Sequence, residues 1–374
     1  LEPYTAVVRG RKDWAPGAGV DGGIETIRAD RPPSNVIQRD RLVASLLDQA
    51  KSLGVTIKHE TDVAGISWAE NDDAILQCSP CGDECALDVE GGKEYTGSFE
   101  VRSPFVVGSD GVRRTICSAI EAEDETASGF RLPWRKFKVT KYEDTSVRVY
   151  KTVPFKPPDD WRCDINYSAR TSRFNFDALP SPVGKAAEDK ASDGADVSSY
   201  CGVLLIKPDE KSLDNKHSSL EDARSYFDEL LPQFSPFIDD KALQAVLDKP
   251  PSRLPVFRYA GPRLYRGSST VLLGDAIHSV KPYFGLGVNS AFEDVAVLLE
   301  ELDQQEELST ALRKYSNRRS AEARILVQMS RSFDRAGFRG FLSFIGPIIL
   351  DGIFGSLPLI GKAFGPNTLA MLQQ

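Results

Sequence analysis

Apolar residues recur along this chain with more than one period, and the period separates its regions. Between Arg39 and Val55, residues Leu42, Leu46, Leu47 and Ala50 fall at helical spacing, and Gly54 closes the run as a C-terminal cap would. The segments "TIKHE" and "VAGISW" alternate like short strands. The run Phe105 to Val107 ends at Gly108, which suits a strand buried on both faces of a parallel sheet. From Glu121 to Leu254 the texture changes to strand-like segments such as "KFKVTKY", "SVRVYKTV" and "CGVLLIK", with one helical stretch, "SLEDARSYFDELL". This part reads as a mainly antiparallel sheet domain inserted into the first domain. After Pro255 buried-strand texture returns at "STVLLGD", and helices are expected over 288–302 and roughly 310–335. Two segments read as loops: "LPSPVGKAAEDKASDGADVSSY" (Leu179 to Tyr200) and "VRGRKDWAPGAGVDGG" near the start.

The expected fold class is α/β. A discontinuous dinucleotide-binding, Rossmann-like domain spans 1–120 and 255–305, a β-sheet domain spans 121–254, and a helical and apolar region spans 306–374. The length of 374 residues, with 41% hydrophobic and 27% charged, suits a globular chain of two or three domains. A net charge of −8 without a basic block excludes nucleic acid and an anionic membrane as main partners. Six cysteines are too few for a disulfide scaffold.

The stretch "TVLLGDAIHSVKPYFGLGVNSAFED" concentrates the chemistry. A buried strand ends at Leu273, Gly274 permits the turn, and Asp275 falls at the carboxyl end of a parallel strand, where α/β folds place ligands. Pro282 stiffens the loop that follows. Gly285 and Gly287 allow close backbone approach to a flat ligand, and Val288 and Asn289 lie in the first turn of a helix expected to bury Ala291, Phe292, Val295 and Leu298. The free N–H groups of that helix start favour developing negative charge.

This stretch resembles the second flavin motif of the group A flavoprotein monooxygenases, the p-hydroxybenzoate hydroxylase fold. "VVGSDGVRRTIC" resembles the DG motif of that family, and "IQRDRLVASLL" places Arg39 where a helix start usually contacts the flavin nucleotide. The Tyr283-Phe284-Gly285 loop and Phe292-Glu293-Asp294 most resemble the kynurenine 3-monooxygenases. The resemblance implies FAD as cofactor and NAD(P)H as reductant, with one oxygen atom of O2 passed to a small or apolar organic substrate. It implies that Gly274, Asp275, Pro282, Gly285, Gly287, Val288 and Asn289 meet the flavin, that Arg39 and Asp110 serve the nucleotide and its approach, and that Tyr283, Phe284 and Phe333 face the substrate. It implies no catalytic acid or base.

The chain departs from the pattern in several places. The DG motif usually continues with a serine and ends with an arginine, where this chain has Arg114 and Cys117. Ile277 replaces an alanine, Lys281 adds a cation beside Pro282, and Phe333 stands where kynurenine 3-monooxygenases use a tyrosine. No strand-glycine-helix unit with Gly-x-Gly-x-x-Gly precedes Arg39, and the first residue is Leu1. Three expectations stay open: a longer natural polypeptide, a partner chain that completes the missing unit, or a non-catalytic subunit of a larger, membrane-associated complex that keeps the scaffold.

Smaller features have plainer readings. Cys78, Cys81 and Cys85 in "CSPCGDEC", with His59 as the nearest histidine, are expected to be free thiols or one local disulfide rather than a metal site. His278 is expected to shape its turn, and Glu293 and Asp294, pointing apart, to serve the first helical turn and packing. The tail from Phe338 is split by Asp351 into runs too short to span a bilayer. It is expected either to cap the substrate cavity or a subunit contact, or to rest on a membrane surface. The compartment is not legible.

Overall fold

In the computed structural model the described residues are 5–27, 29, 32–80, 97–126, 136–144, 147–181, 199–282 and 285–334, the side chains of 333 and 334 excepted. They form two compact units, one of residues 1–57 with 147–254 and one of 58–146 with 255–374. These boundaries assign the first 57 residues to the unit that holds the inserted sheet.

The chain starts with strands β1 (Thr5–Val8), β2 (Gly10–Trp14), β3 (Ile24–Ile27) and β4 (Ser34–Ile37), then helix α1 (Arg39–Ser52). β1 pairs antiparallel with β4. The segment expected to be a loop instead forms the β2–β3 hairpin, which corrects the sequence reading. Its anchor is Trp14, which is buried and donates its indole N–H to the Val20 carbonyl at 2.9 Å. Glycines had hidden this pair, because one large side chain does the packing. Helix α1 forms as expected but buries no side chain.

The second unit opens with β5 (Thr61–Trp68), β6 (Ala74–Pro80) and β7 (Phe99–Ser103), an antiparallel meander. β8 (Val106–Gly108), α2 (Thr115–Thr126) and β9 (Lys138–Lys141) follow. "TIKHE" stays outside any strand, since β5 begins at Thr61.

The chain then returns to the first unit with β10 (Val149–Phe155), β11 (Ile165–Arg170), β12 (Asn175–Pro180), β13 (Tyr200–Ile206), helices α3 (Leu220–Leu230) and α4 (Asp240–Asp248), and β14 (Ser252–Arg253). These complete a seven-stranded sheet of order β14-β10-β13-β12-β11-β2-β3, antiparallel except where β11 meets β2. Alternation along β10 and β13 turns Val149, Val153, Phe155, Tyr200, Leu204 and Ile206 inward. Trp14, Tyr167, Phe176 and Phe234 join them in an aromatic-rich core, which α3 and α4 cover with Phe227, Leu243 and Val246. Lys151 is buried beneath α4 and donates to Val246 O at 2.7 Å, a cation at a helix C-terminus where the dipole favours it.

The second unit resumes with β15 (Arg258–Gly261), β16 (Tyr265–Arg266), β17 (Thr270–Leu272), β18 (His278–Ser279) and helices α5 (Leu286–Gln304) and α6 (Leu308–Asp334). β17 lies between β16 and β8 and runs parallel to β8 in the register Thr270–Val106, Val271–Val107, Leu272–Gly108. All three residues of β17 are buried, as the apolar run required. Around them Ile116, Ile120, Phe257, Leu264, Leu298, Leu312 and Val327 close a second core. Tyr315 of α6 donates its hydroxyl to Leu272 O at 2.9 Å, fixing the end of β17.

Helix α5 turns inward a face that only partly matches the expected one: Leu298 is buried as expected, but Phe292 and Val295 are not. Ser290, Asp294, Val297, Leu298 and Glu301 are buried, while Val288 (46% exposed), Phe292 (46%), Val295 (42%) and Leu299 (54%) form an outward stripe. The cause is polar: Asp294 is held from inside the unit, and that fixes the helix rotation. Among the described residues no helix is long and apolar enough to cross a membrane.

Candidate functional site

The two parallel strands β8 and β17 end side by side, and each is followed by a turn that carries an aspartate. After β8, Asp110 accepts the Ile116 N–H on Oδ2 at 3.1 Å and so caps the start of α2. Its other oxygen, Oδ1, is buried and has no hydrogen-bond partner. A buried acceptor left open is costly unless a ligand donor fills it.

After β17, Gly274 adopts φ +60° and opens a short 3-10 turn over Gly274–Ala276. The next residue, Asp275, keeps its side chain exposed while Gly274 and Ala276 are buried. The Asp275 carboxylate comes beside the first turn of α5, since its Oδ1 lies 3.9 Å from where a Cβ on Gly287 would stand. Gly285 precedes α5 at φ +68°, a conformation that side chains resist, and Asn289 donates its Nδ2 to Gly285 O at 3.1 Å. Pro282 and Val288 are exposed on the same loop and helix start. An exposed carboxylate, an open acceptor, a backbone without side chains and two apolar surfaces therefore gather at the ends of parallel strands.

Behind this surface lies a buried polar network. Asp294 Oδ2 accepts the Gly274 N–H at 2.9 Å and meets His278 Nε2 at 2.7 Å, while Oδ1 accepts Arg319 Nε at 2.8 Å. Arg319 also donates Nη2 to Ser290 Oγ at 2.9 Å. Burial acts to raise the Asp294 carboxyl, but the His278 hydrogen bond, the charges of His278 and Arg319 and the Gly274 amide together hold it below its usual value. Ser290 Oγ lies 3.4 Å from the same His278 nitrogen that meets Asp294. A nucleophilic triad needs serine and carboxylate on opposite ring nitrogens, so this cluster is a structural knot. His278 shapes its turn, as its sequence context implied.

Several expectations shift. Glu293 and Asp294 point apart as expected, one exposed and one fully buried, yet Arg319 reaches both, at 2.9 and 2.8 Å, and both sit beyond the first turn of α5 rather than in it. Lys281 is fully buried, pairs with Asp144 at 2.9 Å and lies over the Phe257 ring, so its charge is turned into the unit. Cys117 is a buried thiol that donates to Ala276 O at 3.3 Å, and burial pushes it up to about 12, which keeps it neutral. Arg39 opens α1 in the first unit. Tyr283, Phe284, Cys81, Cys85, the side chain of Phe333 and the apolar tail lie outside the described residues. Cys78 is a buried free thiol.

Arg319 escaped the sequence reading, although it left a signal. It interrupts the apolar face of α6 that runs through Leu312, Tyr315, Ala323 and Val327, where an unpaired charge would not be tolerated.

The comparisons with known proteins agree with this geometry. Residues 258–330 match the FAD binding domain family. The kynurenine 3-monooxygenase of Aspergillus oryzae is 24% identical over 318 residues, covering 79% of this chain and 55% of the relative. Kynurenine 3-monooxygenase 3 of Aspergillus niger is 31% identical over 260 residues, covering 64% of this chain and 46% of the relative. The chain thus spans about half the length of these relatives. Among solved structures, Klebsiella pneumoniae HpxO complexed with FAD and uric acid shares the fold at TM-score 0.58 and 16% identity, covering 95% of this chain and 77% of HpxO. In sequence and in fold, this chain is similar to the FAD-dependent monooxygenases of group A, the kynurenine 3-monooxygenases among them, and its residues 258–330 match the FAD binding domain family.

Proposed function

We propose that the chain is the FAD-binding and substrate part of an FAD-dependent monooxygenase, of hydroxylase or epoxidase type, that uses O2 and NAD(P)H on a small or apolar organic molecule. The observation that carries this is the outward Asp275 carboxylate at the end of β17, beside the glycine-flanked start of α5. The matched FAD binding domain and the FAD and small molecule held by HpxO support it.

The residues present fit a flavin. Asp275 accepts hydrogen bonds from the ribityl hydroxyls, and the open oxygen of Asp110 takes a further donor. Gly285 and Gly287 let the backbone approach a ring face, and Pro282 and Val288 cover it with apolar surface. The N–H groups in the first turn of α5, joined to the helix dipole, favour negative charge on the ring. Bound there, a flavin would supply hydride-accepting and oxygen-activating chemistry, which the protein's part would be to orient and shield from water. Arg39 serves the nucleotide, and Tyr283, Phe284 and Phe333 serve the substrate. None of these residues is assigned as a catalytic acid or base.

The alternative of a non-catalytic subunit is not favoured, because a scaffold has no use for an outward Asp275 and an open Asp110 oxygen. The deciding experiment is to denature the purified native protein and assay the released FAD against protein concentration. About one FAD per chain supports the reading. No FAD, even after incubation with excess cofactor, overturns it.

A further inference from the structure

Arg114 occupies a position that the family resemblance does not account for. It follows the Asp110–Gly111 turn, its own backbone stands at φ +57°, and its side chain is almost fully buried. Arginine is uncommon in that left-handed region, so something in the surroundings holds it there. The contacts are specific: Nε donates to Ala276 O at 3.0 Å and Nη2 to Asp275 O at 2.6 Å. The guanidinium fork thus grips two successive carbonyls of the turn that presents Asp275. The carboxylates of Asp275 and Asp110 offset part of the cost of burying its charge.

Three residues later, one turn along α2, Cys117 directs its Sγ at the same carbonyl, Ala276 O, at 3.3 Å. Positions 114 and 117 therefore converge on one atom. In the resembling motif position 114 is a serine and position 117 an arginine, so small and large residues have changed places.

We propose that Arg114 is a positioning residue of the flavin site: from position 114 it supplies the guanidinium that the motif carries at 117, drawing the Asp275 and Ala276 carbonyls inward and leaving the Asp275 carboxylate outward beside α5. Cys117 complements it, because a small thiol leaves room for the fork. Only the identity of the bound molecule rests on the flavin reading; the clamp itself does not.

The test uses the full chain with Arg114→Ser and with the exchange Arg114→Ser/Cys117→Arg. FAD affinity is read by fluorescence titration, and thermal unfolding is followed without FAD. Arg114→Ser is expected to weaken FAD binding by about tenfold or more and to lower Tm, and the exchange to restore affinity to within about threefold. A residue whose role depended only on its own place in the turn would not be rescued by an arginine one helical turn away. The proposal is overturned if Arg114→Ser binds FAD within about twofold of the unsubstituted chain, or if the exchange is no better than the single variant. If the unsubstituted chain takes up no FAD, the flavin reading falls by itself and Tm decides: recovery in the exchange supports the clamp, and no recovery overturns it. Should Arg114→Ser not fold, Arg114→Lys, which keeps the charge but loses the fork, is compared with Arg114→Lys/Cys117→Arg by the same criteria.

Discussion

Asp294 divides its two oxygens among the turn at Gly274, the ring of His278 and the guanidinium of Arg319, so removing its charge leaves the buried Arg319 with only the outer carboxylates of Glu293 and Glu322. Breaking a buried pair of this kind costs about 3–5 kcal/mol. Asp294→Asn is expected to lose about 3 kcal/mol at neutral pH, the low end of that range because Glu293 and Glu322 still meet Arg319, measured by urea unfolding. The sign of the pH dependence follows from its lowered carboxyl. Its stabilisation is complete above the ordinary aspartate value of 3.8 and disappears as pH falls through the lower folded value. Unfolding free energy in Asp294→Asn should therefore lack part of the decline that the unsubstituted protein shows below about pH 4. Asp275 makes the opposite case. It is exposed, so Asp275→Ala should lower Tm less than Asp294→Asn does, by no more than the loss of its attraction to Arg114 allows, while abolishing FAD uptake, read by equilibrium dialysis. Both aspartates were visible in the sequence as residues of a motif. Their division of labour was not, because it depends on Arg319, which is 25 positions from Asp294 and on another helix.

The elements that could be read directly were those whose own periodicity carried the information. β8 and β17 announced themselves as short apolar runs before glycines, and α5 and α6 as long amphipathic stretches. The rotation of α5 was misread because hydrophobicity alone favoured Phe292 and Val295 for burial, whereas a buried ion pair set the inward face. The β2–β3 hairpin was missed because one tryptophan, rather than an alternating pattern, fixes it. β11 and β12 were missed beside the irregular segment that follows them. Helix α3 shows the local signals at their clearest. Ser219 Oγ accepts the Asp222 N–H at 3.1 Å, and Asp222 Oδ2 accepts the Ser219 N–H at 3.0 Å, a reciprocal capping box. Ser219→Ala is expected to cost about 1 kcal/mol in chemical denaturation. A loss near zero would mean that packing of Phe227 and Tyr226 alone holds that helix.

Across the whole molecule, the sequence was most informative about the second unit, where motif and strand end coincide, and least about the first, whose aromatic core carries no motif. Fold class was legible because parallel strands and the inserted antiparallel sheet differ in texture. Substrate was not, because residues on a sheet specify a cavity only through their joint shape. If the proposed activity holds, FAD-loaded protein mixed anaerobically with NADPH or NADH should lose its visible flavin absorbance, and substrate should speed that loss. Absorbance that persists with both nucleotides would remove NAD(P)H as the reductant. The Gly274 amide is satisfied by the Asp294 carboxylate, a side chain carried on a different element, instead of by a neighbouring strand. Local fraying of β17 therefore does not release it. In deuterated water this single amide should exchange only through the opening that also frees α5 from α6, and its exchange should accelerate with added urea as steeply as that of the deepest core amides. A turn residue outside any sheet ladder would then keep time with the slowest clock in the unit.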